Sequence, residues 1–197
     1  MAFISNGTTI FNAGAFSASL GSLVLIAEQT ANGADSINFT SGINSTYPLY
    51  KFELINCRCS NNGRQIEFNL STDGGSNYNV NKTATLFIAQ QNKNGDGGDL
   101  SFSSAKSSSN TSGVSAINFT DGSSDGMSGE MFLFNPSSTT FVKHFIANSN
   151  GANDDNTVNN ILTAGYANTS SAINAVTFDT FDGTIDGIFK LYGIKDS

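Results

Sequence analysis

An antiparallel β-sandwich, of jelly-roll type, is the fold this sequence predicts, and three observations predict it. Short runs of apolar, aromatic and β-branched residues recur at hairpin spacing along the 197 residues. The segments between them are rich in Gly, Asn and Ser and hold no amphipathic stretch that reads as a helix, which removes parallel α/β folds. Of the chain, 38% is hydrophobic and only 13% charged, with 16 Phe, so the interior is expected to be aromatic and the outer faces to be hydroxyl and amide side chains.

The elements follow in order. Residues 1–19 are weakly periodic and are expected to be an N-terminal arm or edge strand, tied down by the domain or by a neighbouring subunit, and residues 20–197 a single β-sandwich domain. The run Leu23-Val24-Leu25-Ile26-Ala27 suits a strand buried on both faces better than a short helix. Ile37 to Thr40 is a strand ending at a Ser-Gly turn. From Leu49 to Asn56, Phe52 and Leu54 alternate with Lys51 and Glu53. Gln65 to Leu70 repeats this, with Ile66, Phe68 and Leu70 expected inward and Gln65, Glu67 and Asn69 outward, before Ser71-Thr72-Asp73-Gly74-Gly75 turns the chain. Thr83 to Gln90 is a further strand. Gln91 to Ser128 reads as a long decorated loop interrupted by Leu100-Ser101-Phe102 and by Val114 to Thr120.

The clearest hairpin is Gly129 to Asn148, where Met131 to Phe134 and Phe141 to Ile146 flank an Asn-Pro-Ser-Ser turn. Asn160 to Tyr166, Ala172 to Phe178 and Ile188 to Ile194 close the fold, the last with Phe189 and Leu191 opposing Lys190 and Tyr192. Ile37-Asn38-Phe39-Thr40 recurs as Ile117-Asn118-Phe119-Thr120. Two copies do not make a solenoid; two strands with similar local environments that end in similar turns, as expected if both cross from one sheet edge to another, explain them. Phe52, Leu54, Ile66, Phe68, Phe132, Phe134, Phe145 and Phe189 are the expected core.

Net charge −7 disfavours approach to phosphate backbones and anionic lipid, so neither nucleic acid nor membrane is an expected partner. No run reaches the ~18 consecutive apolar residues of a membrane span, and the start lacks a signal-peptide pattern; synthesis in a cytoplasm is the expectation. Without that leader, the Asn-x-Ser/Thr triplets are not assigned as glycosylation sites.

No catalytic, cofactor-binding or metal-binding residue is assigned. Cys57 and Cys59, two residues apart, point to one side of a strand, where a disulfide fits poorly and zinc lacks further ligands; two reduced thiols are expected. His144, the sole histidine, lies in an apolar strand without a second histidine for a metal site. Asp179, Asp182 and Asp186 have the residue type for glycoside hydrolysis but the setting of a strand end and turn. The oxygen-rich Asn94 to Asp99 and Asn153 to Asn156 lack the pattern of a calcium loop and read as solvated turns.

The stretches STDGGSNYN (Ser71 to Asn79), GEMFLFNPSSTTFVKHF (Gly129 to Phe145), AGYANTSSAI (Ala164 to Ile173) and DGIFKLYGIK (Asp186 to Lys195) resemble a family of virion proteins of marine tailed bacteriophages. FISNGTTI near the start and FTSGINSTY at Phe39 to Tyr47 are similar too, and Gln91 to Gly113 matches least. The resemblance implies a phage structural protein located in the virion. The expected role is a non-enzymatic capsid decoration or head-surface protein, partnered by other virion proteins and by its own copies, with a trimer as the expected oligomer. The alternative is a receptor-binding or tail-fibre tip module recognising host glycans.

Overall fold

A computed structural model describes residues 3–5, 8–12, 15–16, 23–103, 109–110, 116–120, 126–153 and 157–195. Asn153 to Asn156 falls largely outside these, as do residues 104–108 and 111–115 of the long decorated loop.

Alternation, where the sequence has it, sets the sandwich. In β6 (Leu49–Cys59) Tyr50, Phe52 and Leu54 are buried while Lys51 and Glu53 face outward, and in β16 (Ile185–Ile194) Phe189 and Leu191 are buried against a more exposed Lys190 and Tyr192. Around them lie β4 (Leu23–Ala34), β5 (Ser36–Phe39), β7 (Arg64–Ser71), β8 (Lys82–Asn92), β9 (Gly98–Phe102), β10 (Ser109–Asn110), β11 (Ala116–Thr120), β12 (Met127–Phe134), β13 (Lys143–Asn153), β14 (Thr157–Ala167) and β15 (Ala175–Asp179). Before them β1 (Phe3–Ser5), β2 (Thr8–Asn12) and β3 (Ala15–Phe16) pair antiparallel into a three-stranded sheet of their own.

The larger sheet of the sandwich has nine strands in the order β10-β8-β14-β13-β12-β6-β16-β4, with β9 also on the outer edge of β8; the smaller runs β11-β7-β15-β5. All described pairings are antiparallel. Setting aside β8 to β10 and β13 to β14, eight strands remain. The first, eighth, third and sixth of these form one sheet, β4-β16-β6-β12, and the second, seventh, fourth and fifth form the other. That interleaving is the jelly roll. The remaining strands widen one sheet only: the excursion after β7 supplies β8 to β10, and the excursion after β12 supplies β13 and β14.

The core between the sheets is a chain of ring contacts. Phe52 lies 5.5 Å from Phe39 and 5.4 Å from Phe178, Phe178 lies 5.5 Å from Phe189, and Phe68 meets Phe145 edge-on at 5.0 Å. The recurring Ile-Asn-Phe-Thr stretches fall on β5 and β11, the two opposite edges of the smaller sheet, and Ile37 and Ile117 are both buried.

Three expectations are corrected. Phe132 and Phe134 are not core: Met131 and Leu133 point inward, opposite Phe52 and Tyr50, so the phenylalanines stand on the outer face. Leu23 to Ala27 is not buried on both sides, because β4 is the sheet edge and Leu23 and Leu25 are exposed. Gln65 and Glu67 are buried rather than solvated, so β7 is covered on both faces over this stretch.

Candidate interaction surface

The outer face of the nine-stranded sheet is where side chains of unlike chemistry are sorted by strand. One line of directly paired residues crosses it from edge to edge: Glu28, Lys190, Glu53, Glu130, Asn148, Leu162, Phe87 and Phe102. Along that line the face passes from ions through an amide to hydrocarbon.

At the charged end every described ion is paired. Lys190 Nζ lies 3.1 Å from Glu28, and Lys51 Nζ lies 2.9 Å from Glu53 and 2.8 Å from Glu130. Burial works against the charge on Lys51, but its hydrogen bonds to Glu130 and Glu53 outweigh that and hold its pKa above the ordinary lysine value. The same ammonium sits 5.8 Å from the centre of the Phe132 ring, which gives that outward phenylalanine a partner.

In the middle a groove of about 410 Å³ is lined by Glu53, Ile55, Ser128, Glu130, Asn148, Asn150 and Asn160. The Asn160 amide donates to Asn148 Oδ1 and to the Ser149 carbonyl, both at 3.0 Å, and the Asn56 N–H donates to Ser128 Oγ at 3.0 Å. Carboxylates and amides side by side offer both acceptors and donors, the equipment for binding hydroxyl groups.

Beyond the groove the chemistry changes. The outward positions of β13, β14 and β8 form a grid of directly paired residues: His144 with Tyr166 and Thr83, Ile146 with Ala164 and Thr85, Asn148 with Leu162 and Phe87, Asn150 with Asn160 and Ala89, Ala152 with Val158 and Gln91. None of these is Asp, Glu, Lys or Arg. Ile146, Leu162, Val158, Phe87 and Tyr166 are exposed, and β9 extends the patch with Leu100 at 75% and Phe102 at 54% exposure. Phe102 packs against Phe87 with ring centres 5.7 Å apart.

A second unusual place is the buried polar cluster beside β7. The Lys82 ammonium donates to the Phe68 carbonyl at 2.9 Å and to Asn69 Oδ1, and lies 5.2 Å from the centre of the Phe68 ring. Burial lowers its pKa to about 8 against the pull of Asp179 and Glu67. Asp179 is shifted upward, chiefly by burial and then by Glu67. The Gln65 amide donates to the Glu67 carboxylate.

The residues weighed from sequence for chemistry are dispersed. Asp186 accepts from Arg58 Nε at 2.9 Å and from the Gly33 N–H at 2.7 Å, Asp182 pairs with Arg64 at 3.4 Å, and Asp179 belongs to the Lys82 cluster. Cys57 and Cys59 are buried thiols that form no disulfide with each other; burial pushes Cys57 up to about 12. His144 is exposed on β13, 6.0 Å from the Tyr166 ring. The Asn94 to Asp99 turn closes on itself, with Gly95 N donating to the Asn92 carbonyl at 3.0 Å and Gln91 Nε2 to the Gly97 carbonyl at 2.8 Å. In the Ser71 to Asn77 turn, Asp73 accepts from the Asn77 amide at 2.8 Å, Ser71 Oγ at 2.7 Å and the Asn77 N–H at 2.9 Å, which holds its carboxyl down at about 2. These bonds tie the turn together locally.

Sequence reasoning missed the uncharged face, and a signal existed. The alternate residues of Lys82 to Gln91 and of Val158 to Tyr166 that face outward are uncharged throughout, but which of them share a face depends on pairings across some 75 residues that periodicity does not show. No family profile, curated protein or solved structure matches the chain.

Proposed function

We propose that this chain is a non-enzymatic structural protein of a phage particle, a decoration or head-surface component that attaches to the assembled virion. The observation that carries the reading is the outer face of the large sheet, where Leu100, Phe102, Phe87, Leu162 and Ile146 are left exposed across four neighbouring strands. Exposed apolar area of this extent is a liability on a free protein and a contact on an assembled one. The resemblance of Gly129 to Phe145 and Asp186 to Lys195 to phage virion proteins supports the same reading. Attachment that occurs only on the assembled particle stabilises that state by mass action.

The test is to locate the chain in the density of intact particles and count its copies. Regular copies on the head support the proposal. Absence from particles, or release of soluble sugar from host polysaccharide by the purified protein, contradicts it.

The amide and carboxylate groove favours a second reading, a receptor-binding tip module recognising neutral host glycans. In that case Asn148→Ala lowers adsorption to host cells while particle assembly stays normal.

A further inference from the structure

We propose that the uncharged half of the large sheet's outer face, on β13, β14, β8 and β9, seats a second copy of this chain. The inference rests on the reading above and names the partner of that face.

Two observations select the occupant. The first is charge. The chain carries −7, and its copies repel one another unless the surfaces that meet are free of like charge. On this face the ionic groups are collected on β4, β16, β6 and β12, and the fifteen outward positions of β13, β14 and β8 hold no Asp, Glu, Lys or Arg. A partner of opposite charge would be met by the acidic groups; a surface with none fits a partner that carries the same net charge. The second copy is that partner, and about a two-fold axis the same uncharged patch meets itself.

The second observation is area. Phe87, Leu100, Phe102, Ile146, Leu162 and Tyr166 show between 37% and 75% of their surface. With each such side chain able to bury on the order of 200 Å², they present roughly 500 to 600 Å² of hydrocarbon in one patch. A stable contact takes about 800 Å² from each partner, and the Thr, Asn and Ala residues of the same grid make up the difference. Central, well-surrounded Leu162 and Phe87, paired with each other across β14 and β8, are the expected anchors.

The experiment is sedimentation velocity on the purified full chain, wild type and Leu162→Glu, with far-UV circular dichroism and thermal melts as a fold control and binding to particles in parallel. Wild type is expected at a whole multiple of the chain mass. Leu162→Glu is expected at the chain mass, with self-association weakened about a hundredfold or more, since a desolvated carboxylate now meets the partner. If Leu162→Glu does not fold, Thr85→Glu on the same face takes its place. Wild type that is monomeric at every concentration, or a folded variant as oligomeric as wild type, overturns the inference. A monomeric wild type whose Leu162→Glu variant no longer attaches to particles overturns it while leaving the proposed function standing. An oligomer abolished by Leu162→Glu in a protein that never joins a particle upholds the inference and sinks the function.

Discussion

Glu67 and Asp179 stand directly opposite each other on the neighbouring strands β7 and β15, with the Lys82 ammonium as their shared cation. Burial and the Glu67 charge leave Asp179 holding its proton more tightly in the fold than in the unfolded chain, whose value is near 3.8. The folded state therefore binds the extra proton, and this pair makes stability fall as pH rises from 3.8 through the raised folded value. Asp179→Asn removes that loss. The variant is expected to be more stable than wild type at pH 7 and equal to it below pH 3.8, measured by urea melts across the range. Parallel curves for the two proteins would show that the pair is not coupled in this way.

Lys82 gives the opposite slope at the alkaline end. Its folded value of about 8 lies below the unfolded 10.5, so the fold is relieved of a buried charge as pH climbs between the two, and this contribution raises stability there. Replacing Lys82 by Met is expected to abolish that rise, read from the difference between the two proteins' melts at pH 7.5 and pH 10 (roughly either side of the transition).

Two phenylalanines, one inward and one outward, separate core from surface. Phe52 is fully buried in contact with two other rings, and Phe52→Ala is expected to cost about 3 to 5 kcal/mol. Phe132 loses mainly its contact with Lys51, and Phe132→Ala is expected to cost less than about 1.5 kcal/mol. Equal losses in chemical denaturation would return Phe132 to the core.

Gly165 is fixed by proximity. A Cβ there would fall on the Thr83 carbonyl of β8 and reach the Phe145 ring at 2.9 Å. Gly165→Ala is expected to destabilise by about 1 to 3 kcal/mol and to loosen β8 from β14, seen as faster amide exchange from Lys82 to Asn92. Unchanged exchange would mean that the strands give way without cost.

The N-terminal sheet gives a prediction about attachment. Because, among the described residues, β1 to β3 pair with one another and with no strand of the sandwich, deleting Met1 to Ser17 is expected to leave the melting temperature of the jelly roll within a few degrees. If the segment holds the chain on the particle, the truncated protein no longer decorates virions. Full decoration by the truncated chain would show that attachment uses other surfaces.

How much of this was legible in the residues depended on alternation. Lys51-Phe52-Glu53-Leu54 and Phe189-Lys190-Leu191-Tyr192 announce both their strands and their inward faces. Met131-Phe132-Leu133-Phe134 announces a strand but not a face, because four apolar residues in succession carry no period of two; the pairing of Met131 with Phe52 decides it. Gln65 and Glu67 read as solvent-facing because their alternation is regular, and only the packing around β7 reveals them as buried. The interaction face was the least legible, since its grid joins residues from three strands spread between Thr83 and Tyr166.

The two excursions from the roll also constrain how such a chain can change length. β8 enters the large sheet through β14, β14 through β13, and β13 through β12, so the second excursion supplies the neighbour that the first requires. A gene that lost only the segment carrying β8 to β10 would leave β14 as a raw edge, open to another chain's strand. One that lost only β13 and β14 would strand β8 without its long partner. The excursion that carries β8 to β10 therefore depends on the one that carries β13 and β14, and homologous chains should not hold the first without the second.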